Sequence, residues 1–87
     1  MKVSQTSQFK KDIKRQKKRG KDLSKIKSVI DLLISGQSLL PKHRDHPLTG
    51  NWIGHRDCHV EPDWILIYRL LEDELRLERT GTHSDLF

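Results

Sequence analysis

The stretch Trp64-Ile65-Leu66-Ile67-Tyr68-Arg69-Leu70-Leu71-Glu72-Asp73-Glu74-Leu75-Arg76-Leu77-Glu78-Arg79-Thr80 decides the fold. Its first five residues are apolar at odd and even positions alike, as a central strand covered on two faces requires. Leu71-Glu72-Asp73-Glu74 reads as a turn. Leu75 and Leu77 then alternate with Arg76 and Glu78, the period of a strand with one buried side, ending near Thr80. Upstream, Asn51 to Val60 reads as a further strand, interrupted by Pro62, which has no N–H to give a ladder. Three strands joined by tight turns predict an antiparallel meander.

Working outward, Lys2 to Gln5 is a short strand, and Ser7 to Arg19 a helix with Phe9, Ile13 and the stems of Gln16 and Lys17 at helical spacing. Lys17, Lys18 and Arg19 fill its last turn, where cations oppose the helix dipole, and Gly20 can close it in the left-handed region. Asp22 is placed to cap a second helix, whose apolar stripe is Leu23, Ile26, Ile30 and Leu33, widened by Val29 and Ile34 and ended by Gly36. So short a connection predicts an antiparallel helical hairpin covering one face of the sheet. The result is an α+β domain spanning residues 1–87, its other sheet face open for function.

A chain of 87 residues buries only a little over ~60% of its unfolded surface, so any site must lie in a shallow surface concavity. Cys58 is the sole cysteine; it excludes an internal disulfide, fits a reducing cytoplasm, and suits a small buried hydrophobe. The opening MKVSQTSQFKKD lacks an apolar signal core, and Trp64 to Tyr68 is too short to span a membrane. A cytoplasmic protein with no membrane partner is expected. Charge is uneven: residues 1–35 carry a balance of +8 and residues 36–87 one of −3, within a net +5. Ten of the seventeen Lys and Arg lie between Lys10 and Lys27, which suits a face that meets a polyanion or one that is merely solvated.

Placement of the five histidines says more than their number. His46 precedes the meander, His59 ends its first strand, Asp63 follows Pro62, and His83 lies beyond the last strand. Antiparallel pairing brings His59 and Asp63 together, and a returning tail adds His83. Such a cluster could cleave RNA without metal or cofactor: one group takes the 2′-hydroxyl proton as that oxygen attacks the adjacent phosphate, and another protonates the leaving 5′-oxygen. Imidazole, with an unperturbed pKa near ~6.5, serves in either role. DNA offers no such hydroxyl. Arg56 and Arg79 are candidates to offset charge on the phosphate. His43 and His55 read as solvated loop residues, and Trp52, Trp64 and Tyr68 as packing residues; Phe87 either tucks into the core edge or stacks on a base. A zinc site from His43, His46, His55, Cys58 and His59 is disfavoured, since His55 and Cys58 would point to opposite faces of a strand.

Asp45-His46-Pro47-Leu48-Thr49-Gly50-Asn51-Trp52, the run GHRDCHVEPDWILIY from Gly54 to Tyr68 and the ending LERTGTHSDLF from Leu77 to Phe87 resemble the YafQ-type toxins of the RelE/ParE superfamily. The similarity covers almost the whole chain, the basic half matching in character more than in letters. It implies the RelE-like fold: a short N-terminal strand and two-helix hairpin packed on a twisted antiparallel sheet. It further implies the toxin of a type II toxin–antitoxin system, a metal-independent mRNA interferase that enters the 70S ribosome and cuts mRNA in the A site.

The positions matching the family's functional residues are His46, His59, Asp63 and His83, with Phe87 a further candidate. On that reading Asp63 and His83 form the proton-transfer pair, and His46 and His59 orient the nucleotide and help neutralise the phosphate. Lys10, Lys11, Lys14, Arg15 and Lys18 would grip mRNA and ribosomal RNA, with Arg56, Arg79 and Phe87 nearer the cut. The implied partner is a cognate antitoxin that folds on the toxin and blocks its site; operator DNA would be reached only through it. Two other functions compete: a ParE-like inhibitor of a protein target, which would not need the four polar residues together, and a plain RNA-binding domain resting on the basic helices.

Overall fold

Trp64–Leu71 is the strand on which the rest is assembled, because its side chains are wanted on both sides. In the computed structural model, which describes residues 1–87, the chain runs β1 (Lys2–Gln5), α1 (Ser7–Lys18), α2 (Leu23–Ser35), β2 (His46–Pro47), β3 (Arg56–Glu61), β4 (Trp64–Leu71), β5 (Glu74–Gly81) and α3 (His83–Leu86). The strands form one five-stranded sheet in the order β1-β5-β4-β3-β2, with β4 at its centre. Trp64, Ile65, Leu66, Ile67 and Tyr68 are all 0% exposed. Each such side chain is worth roughly 1.5–3 kcal/mol of burial, so this strand anchors the fold.

One face of β4 (Trp64, Leu66, Tyr68) packs with Cys58, Leu75 and Leu77 against Phe9 of α1 and Ile26, Val29 and Leu33 of α2. Both helices obey their local signals. Thr6 accepts from the Phe9 N–H at the start of α1, Asp22 accepts from the Ser24 N–H at the start of α2, and Gly36 closes α2 at φ 75°. A polar anchor also fastens α1. Asp12, 0% exposed, accepts from Arg79 Nε at 2.7 Å, Arg79 Nη2 at 3.3 Å and the Thr80 N–H at 3.1 Å. Thr80 in turn accepts from Trp64 Nε1 at 2.9 Å and donates to the Ile65 carbonyl at 2.7 Å.

Four expectations need correction. The sheet is mixed, because β1 pairs parallel to β5, whereas β5, β4 and β3 form the antiparallel meander. The strand expected from Asn51 begins only at Arg56; Gly50–Trp52 is a 3-10 turn that brings Trp52 onto the second core. His46–Pro47 adds an edge strand, where a proline costs no central ladder bond. Finally, the face away from α1 and α2 is not open: Leu48, Trp52 and Leu86 close over Ile65 and Ile67. These two isoleucines are too apolar to be left in water. The part of this face left uncovered runs from His46 on β2 to the end where β3 stops and α3 starts.

Candidate active site at the open end of the sheet

Strand parity places the site. On β3 the partners of Asp57 and His59 are Ile67 and Ile65, so both residues lie on the face away from α1 and α2. His46 pairs directly with Asp57 from β2. Across the sheet, Gly81 pairs with Ile65, which delivers the start of α3 to the same end. His83 is the first residue of that helix, fixed by a capping box in which Thr82 accepts from the Asp85 N–H and Asp85 accepts from the Thr82 N–H. The structure therefore unites His46, His59, Asp63 and His83.

Their contacts share one feature: every ring turns Nδ1 inward to an oxygen. His83 Nδ1 lies 2.6 Å from Asp63 Oδ1, which also accepts the His83 backbone N–H at 3.0 Å. His59 Nδ1 lies 3.2 Å from the Pro62 carbonyl, and His46 Nδ1 2.7 Å from the Arg44 carbonyl. A carbonyl or carboxylate only accepts, so each Nδ1 carries the proton and each Nε2 is left free. The hydrogen bonds from His83 hold the Asp63 carboxyl below its ordinary pKa, so at neutral pH it is ionised. The His59 and His83 rings are 5.6 Å apart edge to face, and Phe87 stands 6.3 Å beyond His83 with more than half of its surface exposed. Beside His59, a shallow pocket of about 390 Å³ is lined by Lys42, Arg44, Val60, Glu61 and Pro62.

The two arginines expected at the phosphate are each engaged by a carboxylate. Arg56 pairs with Tyr68, on the face that packs against the helices, and its Nε donates to Asp45 at 3.2 Å. Arg79 is committed to Asp12. His43 and His55, expected in solvent, are largely enclosed. His43 Nδ1 donates to the His59 carbonyl at 2.7 Å, buttressing the strand that carries His59, and His55 Nε2 sits 3.4 Å from Glu78. On α1, Lys11, Lys14, Arg15 and Lys18 line a concavity of about 290 Å³, with no hydrophobic residue among them. Arg15 leans to 3.8 Å from Asp85.

Sequence reasoning missed Asp57 and Asp85. Asp85 ties α3 to the end of α1: Arg19 Nη1 reaches it at 2.6 Å, and a side chain at Gly81 would collide with it at 2.8 Å. The capping pattern Thr82-x-x-Asp85 was the available signal for it. Arg19 and the Thr82 N–H lower the Asp85 pKa, so its stabilising effect is complete above the unfolded value near ~3.9 and is lost as pH falls through the lower folded value. Asp85→Asn is therefore expected to lower the melting temperature at pH 7. Thermal melts from pH 7 to pH 2 should show the gap to the parent protein closing below about pH 4; a constant gap would mean that charge is not its contribution.

A helix-backed sheet with a histidine-lined open end defines a RelE-like α+β toxin domain. The model of the family described as the bacterial toxin of type II toxin-antitoxin system, YafQ, matches residues 1–87, and the chain belongs to that family. It is 52% identical over 86 residues, 98% of this chain and 94% of the relative, to the mRNA interferase toxin YafQ of Escherichia coli strain K12. The toxin in the crystal structure of the E. coli DinJ-YafQ toxin-antitoxin complex superposes with a TM-score of 0.91 at 51% identity, over 98% of this chain and 94% of that one. A metal-bound toxin from Helicobacter pylori superposes with a TM-score of 0.93 at 39% identity, over 100% of this chain and 99% of the other.

Proposed function

We propose that this toxin is a ribosome-dependent endoribonuclease that cuts mRNA in the ribosomal A site. The carrying observation is the set of three imidazoles, each presenting Nε2 at one open sheet end, with Asp63 behind one of them. One Nε2 takes the proton of the 2′-hydroxyl as its oxygen attacks the phosphorus. A protonated ring then donates to the departing 5′-oxygen, leaving a 2′,3′-cyclic phosphate. His83, backed by Asp63, is the better proton-transfer group. His46 and His59 hold the nucleotide and help to neutralise the phosphate, with Arg56 and Arg79, each paired to a carboxylate, as further cations. Phe87 offers a ring for stacking on an unpaired base.

The exposed stripe Lys10, Lys11, Lys14 and Lys18, with Arg15, faces away from the core and suits ribosomal RNA phosphates; binding then weakens steeply with salt. The same cationic surface suits the acidic segment of a cognate antitoxin in the cytoplasm. The E. coli relative's complex with DinJ supports such a partner, through which operator DNA would be reached. The imidazoles supply both proton transfers, so the reaction is assigned no metal, although a relative has been crystallised with one.

The test is primer extension on a defined mRNA, free and programmed on 70S ribosomes, with and without a chelator. Cuts within A-site codons that need the ribosome and survive the chelator are expected. Cuts abolished by the chelator would overturn metal independence, and cuts on free RNA would overturn ribosome dependence. No cuts at all from folded protein would favour an inhibitor of the ParE kind.

A further inference from the structure

One carboxylate at this end of the sheet has no part in the mechanism above. Asp57 is 4% exposed, in the middle of β3, on a face whose neighbours are otherwise Ile65 and Ile67. Its Oδ1 lies 3.0 Å from His46 Nδ1, yet it receives no aligned hydrogen bond, because that N–H is directed at the Arg44 carbonyl. A buried carboxylate left without an aligned donor weakens a fold; an amide of the same shape would cost less there. Nothing in the packing of the second core calls for a charge at this position.

The ionisable groups that face Asp57 are informative: His46, His59 and His83 act on it from β2, β3 and α3, and only Asp45 opposes them. We infer that Asp57 is a positioning residue of the nuclease, its buried charge beside Nδ1 keeping the His46 ring in the orientation that turns Nε2 to the substrate. The inference rests on the nuclease reading and extends it, since it places a carboxylate beside His46 as Asp63 is placed beside His83, here by charge and proximity where Asp63 uses an aligned hydrogen bond. The site then contains two His–Asp pairs, one with its carboxylate exposed and one with its carboxylate buried. Burial raises the pKa of Asp57, and the three imidazoles draw it back toward the ionised form.

The experiment compares Asp57→Asn with the full-length parent in three measurements: the melting temperature, the single-turnover rate and KM on programmed ribosomes, and the tautomer of His46 by nitrogen-15 NMR of the free toxin. Asparagine keeps the shape and an accepting oxygen but removes the charge. The expected result is an unchanged or higher melting temperature, a rate lowered tenfold or more with little change in KM, and a His46 tautomer balance moved away from the Nδ1–H form. A residue that is merely structural would instead lower the melting temperature and leave the His46 tautomer where it was. That pattern, or an Asn variant as fast as the parent, overturns the inference. Should the parent itself fail to cut mRNA, the nuclease reading falls, and the NMR tautomer alone decides whether Asp57 governs His46.

Discussion

Replacing His83 by alanine is expected to slow ribosome-dependent mRNA cleavage by ~10²–10⁴-fold, the usual worth of a positioned proton-transfer group. The fold should survive, because the backbone contacts that hold this residue do not need its ring. The His83 N–H still reaches Asp63, and the Thr82–Asp85 capping box still starts α3. More than half of the side chain is exposed, so little packing is lost. Single-turnover rates on programmed ribosomes, with thermal melts of the same preparations, test this directly. Loss of rate at an unchanged melting temperature places His83 in the chemistry. A variant within about threefold of the parent would remove it from that role and shift the proton transfer to His46 or His59. The pH–rate profile carries a second check: the limb due to the His83 imidazole should vanish in the variant while any limb due to the other rings remains.

Asp12→Ala should have the largest effect on stability, a loss of ~3–5 kcal/mol, as when one partner of a buried ion pair is removed. The carboxylate is fully buried and accepts from four donors at once, two on Arg79, one on the Thr80 backbone and the Gln8 amide. Without it the guanidinium, only 22% exposed, keeps its charge and loses its partner, and a buried N–H is orphaned. Thr80 also holds Trp64, so the disturbance runs from α1 through β5 into the central strand. Urea denaturation should show a midpoint shift with an unchanged slope. A shift worth less than about 1 kcal/mol would show that water replaces the carboxylate without cost. Because the free energy of a small domain is only ~5–15 kcal/mol, the variant is also expected to be degraded faster in cells.

How far the fold was legible depends on the range of the interactions that set each part. Thr6, Asp22 and Gly36 act within a few residues, and they mark the helix ends much where local chemistry puts them. Trp64 to Tyr68 announced a central strand because no edge strand could keep both of its faces dry. The proximity of His59, Asp63 and His83 followed from antiparallel pairing, and His46 lies on the neighbouring strand beside Asp57. The Asp45 partner of Arg56 was not legible because the expected strand began several residues too early. The Asp12 partner of Arg79 was not legible because it lies 67 positions away on another element. His43 was taken for a loop residue because only the folded loop lays its ring under the His59 carbonyl.

The sequence by itself determined the two long helices, the central and last strands of the meander and the types of residue available for acid–base work, because periodicity, caps and turns are decided by neighbours along the chain. Only the tertiary structure decided that β1 joins β5 in parallel, that Leu48, Trp52 and Leu86 close the second face, and that Asp57 lies buried beside His46. Those outcomes rest on register and on burial shared between distant segments. A shift of one residue would turn every side chain of a strand to the other face, and it is the pairing energy of the whole sheet that excludes it.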